Sequence, residues 1–510
     1  MFLILFVVFC KPETESKEIR LNLPDPLFSK QWHIANKKYP QNDINVLSVW
    51  QTGNKGQGIR IAVIDDGVEM EHPDLKENID FNLSVDFSGG KSLKDKRKFV
   101  HGAAVAGIIA AKDNNGVGIT GVAPEAKIIS YNLFNALSEE NMKTALTKNV
   151  EHIDIMLNSW GAEDYTGQFL TLNEKWRESI EYGLKYGRNG RGVIYVWAAG
   201  NGADSEEFEL DNSNYDGQAN FYGVIPVCSV NIKGKKANYS EKGANLLVCA
   251  PSSSYMNGAE DGIVTTDLTG NSGINAAWRK DDLIEKDFTE KFGGTSASAA
   301  MAAGVIALIL KENSLLSWRD VKLILAESAR KNDPKDNDWQ KNKGRKKSDG
   351  KPFYINHKYG FGLIDAALAV NLASNRQLLS DQKIFETDKD IIKKEISKKN
   401  RSITGHLTVN NSNISFIEFI EIYINLEIED ASNLKIILKG PSGVKSILAE
   451  PHKCIKNLKE VQCKLPNHWR FGSARNLGEK ADGKWRLIVE LNDSKDTAVL
   501  NSWRLKFYGH

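Results

Sequence analysis

Three residues whose types cooperate in acyl transfer stand far apart in the sequence, each at the end of a predicted element. Asp65 follows a buried strand-like run at 58–64, and His101 opens a run of small apolar residues. Ser296 follows two glycines at the start of a long apolar stretch. A serine nucleophile needs a histidine that takes its proton and a carboxylate that orients the histidine. Because parallel strands gather such groups at their carboxyl ends, the sequence predicts one site with Asp65, His101 and Ser296.

Ser296 alone has a simpler interpretation. The stretch 291–310 is rich in alanine and almost free of polar side chains, which predicts a helix buried on nearly every side. A small hydroxyl at the start of a helix commonly caps it. The free N–H groups of the same turn would also suit an oxyanion.

The order Asp, His, Ser is that of subtilisin. Ser298 stands where the last glycine of a G-x-S-x-G elbow would be, which argues against an α/β-hydrolase.

The elements that must position these residues alternate between strand and helix as far as about residue 373. This pattern predicts an α/β fold with a parallel sheet and helices on both faces. The Lys- and Glu-rich stretch 388–401 is interpreted as linker, and the short alternating runs beyond it predict an all-β domain of jelly-roll or sandwich type. The predicted divisions are a leader and tether at 1–20, a catalytic domain at 21–373, a linker at 374–401 and a β domain at 402–510.

Charge and composition exclude some classes of function. Lys and Arg total 67 against 65 Asp and Glu, which favours neither a nucleic-acid nor an acidic partner. The basic stretch 341–351 is interpreted as a solvated loop.

Residues 1–9 are wholly apolar, too short to span a bilayer, and typical of an export signal apart from the missing basic start. The protein is therefore expected to be exported, either secreted or associated with the cell envelope.

The five cysteines form no zinc-binding pattern. Cys10 follows the apolar leader, as in a lipoprotein, although Phe9 is bulky where a small residue is usual, so a lipid anchor at Cys10 is one option. Cys454 and Cys463 could close a small loop. Cys228 and Cys249 lie in apolar strand-like runs, where free thiols and a bridge are both compatible with the sequence.

A set of motifs extends well beyond the three residues. They are VIDDG at 63–67, HPD at 72–74, HG at 101–102 with VAG at 105–107, SWG at 159–161 with ED at 163–164, VWAAGNG at 196–202, IVTTDL at 263–268, GTSAS at 294–298 and HKYGFGLIDA at 357–366. Together they resemble the subtilisin-like serine peptidases of the kexin/furin proprotein-convertase branch. The resemblance covers about residues 20–373, and the β domain resembles the P domain of that branch.

The resemblance implies the roles of the reacting groups. Ser296 would be the nucleophile, His101 the general base and then acid, and Asp65 the orienting carboxylate. Asn201 would donate its side-chain amide to the oxyanion beside the backbone N–H of Ser296. Losing one such donor typically costs about 3 kcal/mol of transition-state stabilisation.

The resemblance also implies a substrate-binding strand at Ser159, Trp160 and Gly161. Asp164 and Asp216 would be the two acids of a P1 pocket for Arg or Lys, since a guanidinium can fork across two carboxylates.

Asp66 would face the P2 residue. Lys98 stands where a further P2 acid is usual, and Leu137 and Leu170 stand where P4 acids are usual. We therefore expect a weakened dibasic requirement and no need for a P4 Arg. Ala103 and Ala300 also depart from the family pattern but touch no reacting group.

Calcium is the cofactor that the resemblance implies, and hard cations of this kind prefer carboxylate and carbonyl oxygens. A first site would use Asp25, Asp74 and Asn115, with backbone carbonyls near Lys112, Val117 and Ile119. A second site, beside the P1 pocket, would use Asp164, Asp211 and Glu241. Only Asp86 matches a third site of the family, and this site is not predicted.

The expected function is a calcium-dependent serine endopeptidase that cuts protein and peptide substrates after basic residues. One alternative is a subtilisin-like peptidase of broad specificity, and another is an inactive scaffold that binds through its P domain. Convertases usually begin with a folded propeptide, whereas the leader here runs almost directly into the mature-type start near Leu21. Either the domain folds unaided or help comes from elsewhere, and a separate chaperone or inhibitor protein is the partner that we expect.

Overall fold

The structure, a computed structural model, describes residues 25–89, 100–171, 173–203, 210–256, 261–277, 279–344, 346–347, 349–397, 400–492 and 497–510. The predictions for the leader, for Cys10, for the start near Leu21 and for Lys98 lie outside these ranges.

A parallel sheet forms the centre of the N-terminal part. Its strands are β1 (Arg60–Asp65), β2 (Val85–Asp86), β3 (Lys127–Asn132), β4 (Ile155–Asn158), β5 (Ile194–Ala198), β6 (Val224–Val230) and β7 (Val248–Pro251). Their order is β2-β3-β1-β4-β5-β6-β7, and the paired strands are parallel throughout. Strand β1, which lies between β3 and β4 inside the sheet, ends with Asp65 at the carboxyl edge.

Helices cover both faces of this sheet, as the alternating pattern predicts. They are α1 (Leu47–Gln51), α2 (Val100–Ala110), α3 (Glu139–Thr147), α4 (Glu174–Gly190), α5 (Gly294–Glu312), α6 (Trp318–Ser328) and α7 (Ala366–Ser374), with short 3-10 turns at Phe28–Lys30, Lys76–Asn78 and Phe134–Ala136. Ile61 and Val63 of β1 join the core formed with α2 and α5. Ala62 and Ile64, which point the other way, join the core formed with α3 and α4.

Helix α5 runs through the first of these cores. Every residue from Gly294 to Leu310 is buried, and the helix contacts strands β4 to β7. By length and composition it could also cross a membrane, but its apolar surface is covered by the protein itself. Its N-cap is Gly293, and no side chain caps its start. The capping interpretation of Ser296 is therefore wrong.

The C-terminal part is a sandwich of two antiparallel sheets, which confirms the predicted all-β domain. Two small hairpins precede it, β8 (Ile263–Thr266) with β9 (Phe288–Phe292) and β10 (Gln340–Lys341) with β11 (Tyr354–Ile355). The later strands are β12 (Lys383–Glu386), β13 (Asp390–Ile396), β14 (Ser402–Val409), β15 (Ile417–Ile428), β16 (Leu434–Lys439), β17 (Lys445–Ala449), β18 (Cys454–Lys456), β19 (Lys459–Val461), β20 (Trp469–Ser473), β21 (Gly483–Leu491) and β22 (Ala498–Gly509). One sheet has the order β12-β22-β15-β20, with β13 also on β22, and the other has the order β14-β21-β16-β17. Strands β18 and β19 form a separate hairpin.

The stretch that was predicted to be a linker is partly sheet. Strands β12 and β13 both pair with β22, the last strand of the chain. Their lysines and glutamates lie on exposed positions, so their composition resembles that of a linker although their backbone groups join the sandwich. The linker interpretation of 374–401 is therefore wrong for these two segments.

Both pairs of cysteines that the sequence left open form disulfides. Cys228 and Cys249 join the neighbouring strands β6 and β7, where the two residues face each other in the register. Cys454 and Cys463 close the β18–β19 hairpin. A ring nitrogen of His452 and the two sulfur atoms lie within 4.8 Å of one another, but both sulfurs are used in the bridge.

The two parts of the chain share apolar packing. Phe416, Phe419 and Tyr508 of the sandwich belong to the core around α5. Phe169 and Tyr215 of the N-terminal part belong to the core of the sandwich. The described interface is therefore continuous with both hydrophobic cores.

Candidate active site

Asp65 and His101 form a hydrogen-bonded pair at the carboxyl edge of the sheet. Nδ1 of His101 lies 2.9 Å from both carboxylate oxygens of Asp65. The Asp65 side chain is buried, whereas that of His101 is 36% exposed. Because Nδ1 faces the carboxylate, Nε2 is the nitrogen that can accept a proton from a nucleophile.

The next residue, Asp66, holds the first turn of α2 against the end of β1. Its carboxylate accepts hydrogen bonds from the backbone N–H of His101 at 3.0 Å and of Gly102 at 2.7 Å. Burial, with the nearby charge of Asp65, raises the pKa of Asp66 to about 7. The structure thus gives Asp66 a helix-capping contact in addition to the P2 role that was predicted for it.

The environment of His101 favours its charged form. Burial opposes a charge on the ring, but the charge and the hydrogen bond of Asp65 outweigh it and raise the pKa of His101 above its ordinary value. This arrangement stabilises the imidazolium that forms when a histidine takes a proton from serine.

Ser296 lies in the first turn of α5, which packs on α2. Its hydroxyl donates a hydrogen bond to the carbonyl of Ser159 at 3.1 Å, and the hydroxyl of Ser159 donates to the carbonyl of Ser296 at 3.4 Å. No Ser296–His101 hydrogen bond is found among the described residues. Because a serine hydroxyl changes direction by rotation about one bond, catalytic contacts of this kind often form only with substrate present.

Asn201 lies next to the start of α5. Its side-chain oxygen accepts from the backbone N–H and from the hydroxyl of Thr295, both at 2.8 Å. These contacts orient the amide so that its NH₂ group points away from Thr295. The amide nitrogen donates one hydrogen bond to Asp164, over a nitrogen–oxygen distance of 3.3 Å. The second hydrogen remains available to a developing oxyanion.

The two acids predicted for the P1 pocket lie beside the predicted substrate strand. The backbone N–H of Ala162 donates to Asp216 at 3.1 Å, and that of Asn201 donates to Asp164 at 2.9 Å. A Cβ at Gly161 would lie only 2.7 Å from a carboxylate oxygen of Asp216, so a glycine is needed for this close approach. In the described part of the chain, neither acid pairs with a Lys or an Arg. A role of these two acids in a P1 pocket stays a prediction.

Trp160 fixes the position of the same strand. Its indole N–H donates to the carbonyl of Ile64 at 2.9 Å, and its ring packs on Trp197 and Phe134. The segment 159–161, directly after β4, is thereby tied to the residue that precedes Asp65.

The second predicted metal site is a group of three carboxylates, of which those of Asp211 and Glu241 are buried and that of Asp164 is half-buried. Burial and the neighbouring acids raise the pKa of Asp211 to about 7 and the pKa of Glu241 well above its ordinary value. Burial likewise raises the pKa of Asp164. Such a group is unfavourable unless protons or a cation neutralise it, and its oxygen ligands fit Ca²⁺.

The first predicted metal site also contains buried carboxylates. Asp74 is fully buried, and burial, with the charge of Asp25 adding, raises its pKa to about 7. One carboxylate oxygen of Asp25 is buried without a hydrogen-bond partner. Asn115 and the backbone N–H of Ile119 donate to Asp74. These oxygens suit a hard cation.

The backbone around this site brings the remaining predicted residues close. The N–H of Lys112 donates to the Asp74 carbonyl at 2.9 Å, and that of Val117 donates to the Asn115 side chain at 2.8 Å. The contacts place both residues beside the acids. A ligand role for their carbonyls stays a prediction.

An exposed apolar groove of about 400 Å³ borders the substrate strand. Leu137 and Leu170, predicted to replace the P4 acids, are 56% and 41% exposed and both line it. Trp160 and Gly161 also line the groove.

Sequence reasoning missed the residues of the C-terminal sandwich that contact the pocket. His452 and Arg470 each bond the backbone of pocket loops more than 250 positions earlier in the chain. No spacing or periodicity in one sequence indicates a contact between two separately folded sheets. The aromatic residues near Phe169 and Trp469 were the one signal that could have suggested a shared interface.

Comparisons with known proteins agree with this architecture. The Subtilase family (Peptidase S8) model matches residues 56–362, and the proprotein convertase P-domain model matches residues 417–507. Protease KEX1 of Kluyveromyces lactis is 30% identical over 98% of the chain and 62% of its own length. Furin-like protease 2 of Drosophila melanogaster is 31% identical over 95% of the chain and 28% of its own length. The chain thus spans less than two thirds of these relatives.

Solved structures show the same fold. The crystal structure of the serine protease of Aeromonas sobria aligns with a TM-score of 0.82 at 24% identity, covering 97% of each chain. The complex of that protease with its chaperone gives a TM-score of 0.83, also at 24% identity, covering 96% of this chain and 95% of that one. At this identity the likeness concerns the fold. With both family models in their expected places, the chain belongs to the subtilase family of serine endopeptidases, in the kexin/furin-like branch with a P domain.

Proposed function

We propose that this chain is a calcium-dependent serine endopeptidase that hydrolyses peptide bonds after Arg or Lys. The observation that carries the proposal is the pair of acids, half-buried Asp164 and buried Asp216, beside the segment 159–161, whose Ser159 contacts Ser296. Two carboxylates without a cationic partner would bind a guanidinium or an ammonium group of a substrate.

Catalysis would begin when the hydroxyl of Ser296 attacks the carbonyl carbon of the scissile bond. Nε2 of His101 takes the hydroxyl proton, and Asp65 stabilises the resulting imidazolium. The amide of Asn201 and the backbone N–H of Ser296 would donate to the tetrahedral oxyanion. His101 then gives its proton to the leaving amine, and water hydrolyses the acyl-enzyme by the same steps.

Subsites beyond P1 would differ from a strict dibasic preference. The groove lined by Leu137, Leu170 and Met142 is apolar and would take an aliphatic or aromatic P4 side chain. Asp66 already accepts two backbone hydrogen bonds from α2, which reduces what it can offer to a P2 cation. Cleavage is therefore expected after a single basic residue, and a P4 Arg is not needed.

Calcium would be held by Asp25, Asp74 and Asn115 at one site and by Asp164, Asp211 and Glu241 at the other. The bound ion would neutralise carboxylates whose negative charges are unfavourable when buried close together. Because Asp164 belongs to the P1 pocket as well, loss of the second ion would disturb substrate binding directly.

The proposed location is outside the cytoplasm, secreted or attached to the cell envelope. Two disulfides favour an oxidising compartment, and a lipid at Cys10 would provide the attachment. A separate chaperone or inhibitor protein is the proposed partner, since the Aeromonas sobria protease was solved with a chaperone. A good yield of active enzyme from the chain expressed alone would contradict this partner.

The test of the proposed function uses a fluorophosphonate probe and a peptide panel. The chain should be labelled, the Ser296→Ala variant should not be, and peptides with P1 Arg or Lys should be cleaved best. Equal turnover of P1 Phe or Leu would favour the broad-specificity alternative. Absence of labelling in a folded protein would favour a binding scaffold.

A further inference from the structure

One segment of the sandwich, residues 450–463, lies against both stretches that carry the P1 acids. The first stretch is the loop 163–167, which contains Asp164. The second is the turn 214–220, which contains Asp216. Both stretches are held by backbone and side-chain hydrogen bonds from the sandwich.

Hydrogen bonds hold the loop after Asp164 from two sides. From the sandwich, the N–H of Ile455 donates to the carbonyl of Thr166 at 2.8 Å, and Nε2 of His452 lies 3.0 Å from the carbonyl of Gly167. From the other side, Asp211 accepts hydrogen bonds from the N–H groups of Tyr165 and Gly167. The loop can thus shift only if one of these contacts breaks.

Gly167 shows how close the approach is. Its φ of +63° lies in the left-handed region, and a Cβ there would come within 2.1 Å of the carbonyl oxygen of Lys453. A side chain at this position would push the segment 450–463 away from the loop. The sequence therefore provides the one residue type that permits the contact.

The turn before Asp216 is tied to the same segment through Tyr215. The rings of Tyr215 and His452 have centroids 4.7 Å apart. The Tyr215 hydroxyl donates to the carbonyl of Glu450 and accepts from its N–H, both at 3.2 Å. On the far side of Asp216, Arg470 donates to the carbonyl of Gly217 at 3.0 Å.

His452 contacts both the loop 163–167 and the turn 214–220. Its Nε2 faces Gly167, and its Nδ1 lies 2.8 Å from the carbonyl of Glu450 and 3.3 Å from the hydroxyl of Tyr215. The Cys454–Cys463 bridge closes the hairpin that follows and fixes where His452 can lie. One imidazole thus spans the distance between the neighbours of Asp164 and those of Asp216.

We propose that His452 is a positioning residue for the P1 pocket, and that the hairpin closed by Cys454 and Cys463 sets the spacing of Asp164 and Asp216. The sandwich would then contribute to the preference for P1 Arg although none of its residues touches the substrate. This inference rests on the proposed function, because it concerns the basic pocket of that enzyme.

The experiment compares His452→Ala, His452→Gln and a matched control, His406→Ala, which removes an exposed histidine of β14 in the same sandwich. Benzamidine, a small cation that occupies only a P1 pocket, reports pocket geometry without turnover. The rate of fluorophosphonate labelling reports the serine, the histidine and the oxyanion donors. Michaelis parameters for a peptide with P1 Arg complete the set.

We expect His452→Ala to weaken benzamidine binding and to raise KM for P1 Arg by about tenfold, the upper range for one hydrogen bond. Its kcat and its labelling rate should stay within about twofold of the parent, since the triad is untouched. Glutamine carries an N–H donor that can reach Gly167, so His452→Gln should recover most of the loss. His406→Ala should match the parent enzyme.

Three results would overturn the inference. The first is benzamidine binding in His452→Ala equal to that of the parent. The second is a parallel loss of labelling, kcat and melting temperature, which would show general destabilisation. The third is a parent enzyme that neither prefers P1 Arg nor binds benzamidine, which would refute the basic pocket itself. If His452→Ala does not fold, Tyr215→Phe removes only the hydroxyl bonded to Glu450 and should weaken benzamidine by about threefold with unchanged labelling.

Discussion

Calcium binding by this chain should release protons, and the release should disappear at alkaline pH. Burial and neighbouring charge raise the pKa of Asp74 and of Asp211 from 3.8 to about 7. A folded chain without calcium therefore keeps protons that the unfolded chain would lose. The stability that these protons confer is complete below the ordinary carboxyl pKa and is lost as the pH rises through about 7.

The free energy linked to these protons follows from the size of the pKa shift. About three pKa units per acid mean that folding favours the protonated over the ionised form by roughly 4 kcal/mol relative to the unfolded chain, taken as an upper value. Calcium needs ionised carboxylates, so the site of Asp74 should release about one proton at a pH of about 6 and almost none at about 8.5. The second site should release at least as many protons at the lower pH, because the pKa of Glu241 is raised there as well as that of Asp211. Below pH 7 the apparent affinity should fall by about tenfold per pH unit for each proton released.

The assay is calorimetric titration of calcium into protein that has passed over a chelating resin. Measurements in two buffers with different ionisation enthalpies give the number of protons released at each pH. Asp74→Asn and Asp211→Asn each serve as a control, because each should remove the release that belongs to one site. The same proton count at both pH values would refute the reasoning, since the two acids would then titrate outside the range derived from their burial.

Further predictions concern the active site and its pockets. Asn201→Ala should lower kcat by about a hundredfold or more, with KM little changed, because the amide acts on the oxyanion. Asp216→Asn should reduce kcat/KM for P1 Arg by about a hundredfold while the melting temperature stays within a few degrees, measured by kinetics and thermal unfolding. Leu170→Asp should create a preference for P4 Arg that Leu170→Asn, of the same shape, does not show in a peptide panel. The acid limb of the pH profile of kcat/KM should lie above the ordinary histidine value, since Asp65 raises the pKa of His101; a limb at or below that value would contradict this electrostatic argument.

Much of the fold could be predicted because its sequence signals are local. Buried runs of Ile, Val and Ala mark the parallel strands, and the strand that ends in Asp65 lies inside the sheet, with a parallel neighbour on each side. Since parallel strands all end at one edge, the meeting of Asp65 and His101 follows from element order alone. The burial of α5 likewise follows from a helix with no polar face.

Other features depend on contacts that no local pattern contains. The hydroxyl of Ser296 faces Ser159 because a carbonyl lies there in the folded chain. Strands β12 and β13 show little apolar alternation, since they lie at the edge of their sheet and expose their side chains. The pairing of Cys228 with Cys249 depends on the register of β6 against β7, which is fixed only when the whole sheet forms.

The burial of α5 also determines how the enzyme would fail on heating. Ser296 is attached to a helix that touches the central strands and the neighbouring helices, so moving it means unpacking the interior. Local opening of such a segment costs nearly the full free energy of unfolding, unlike the opening of a surface loop. Thermal inactivation and loss of structure should therefore follow one curve, and a heated sample should contain fully active and fully inactive molecules rather than partly impaired ones.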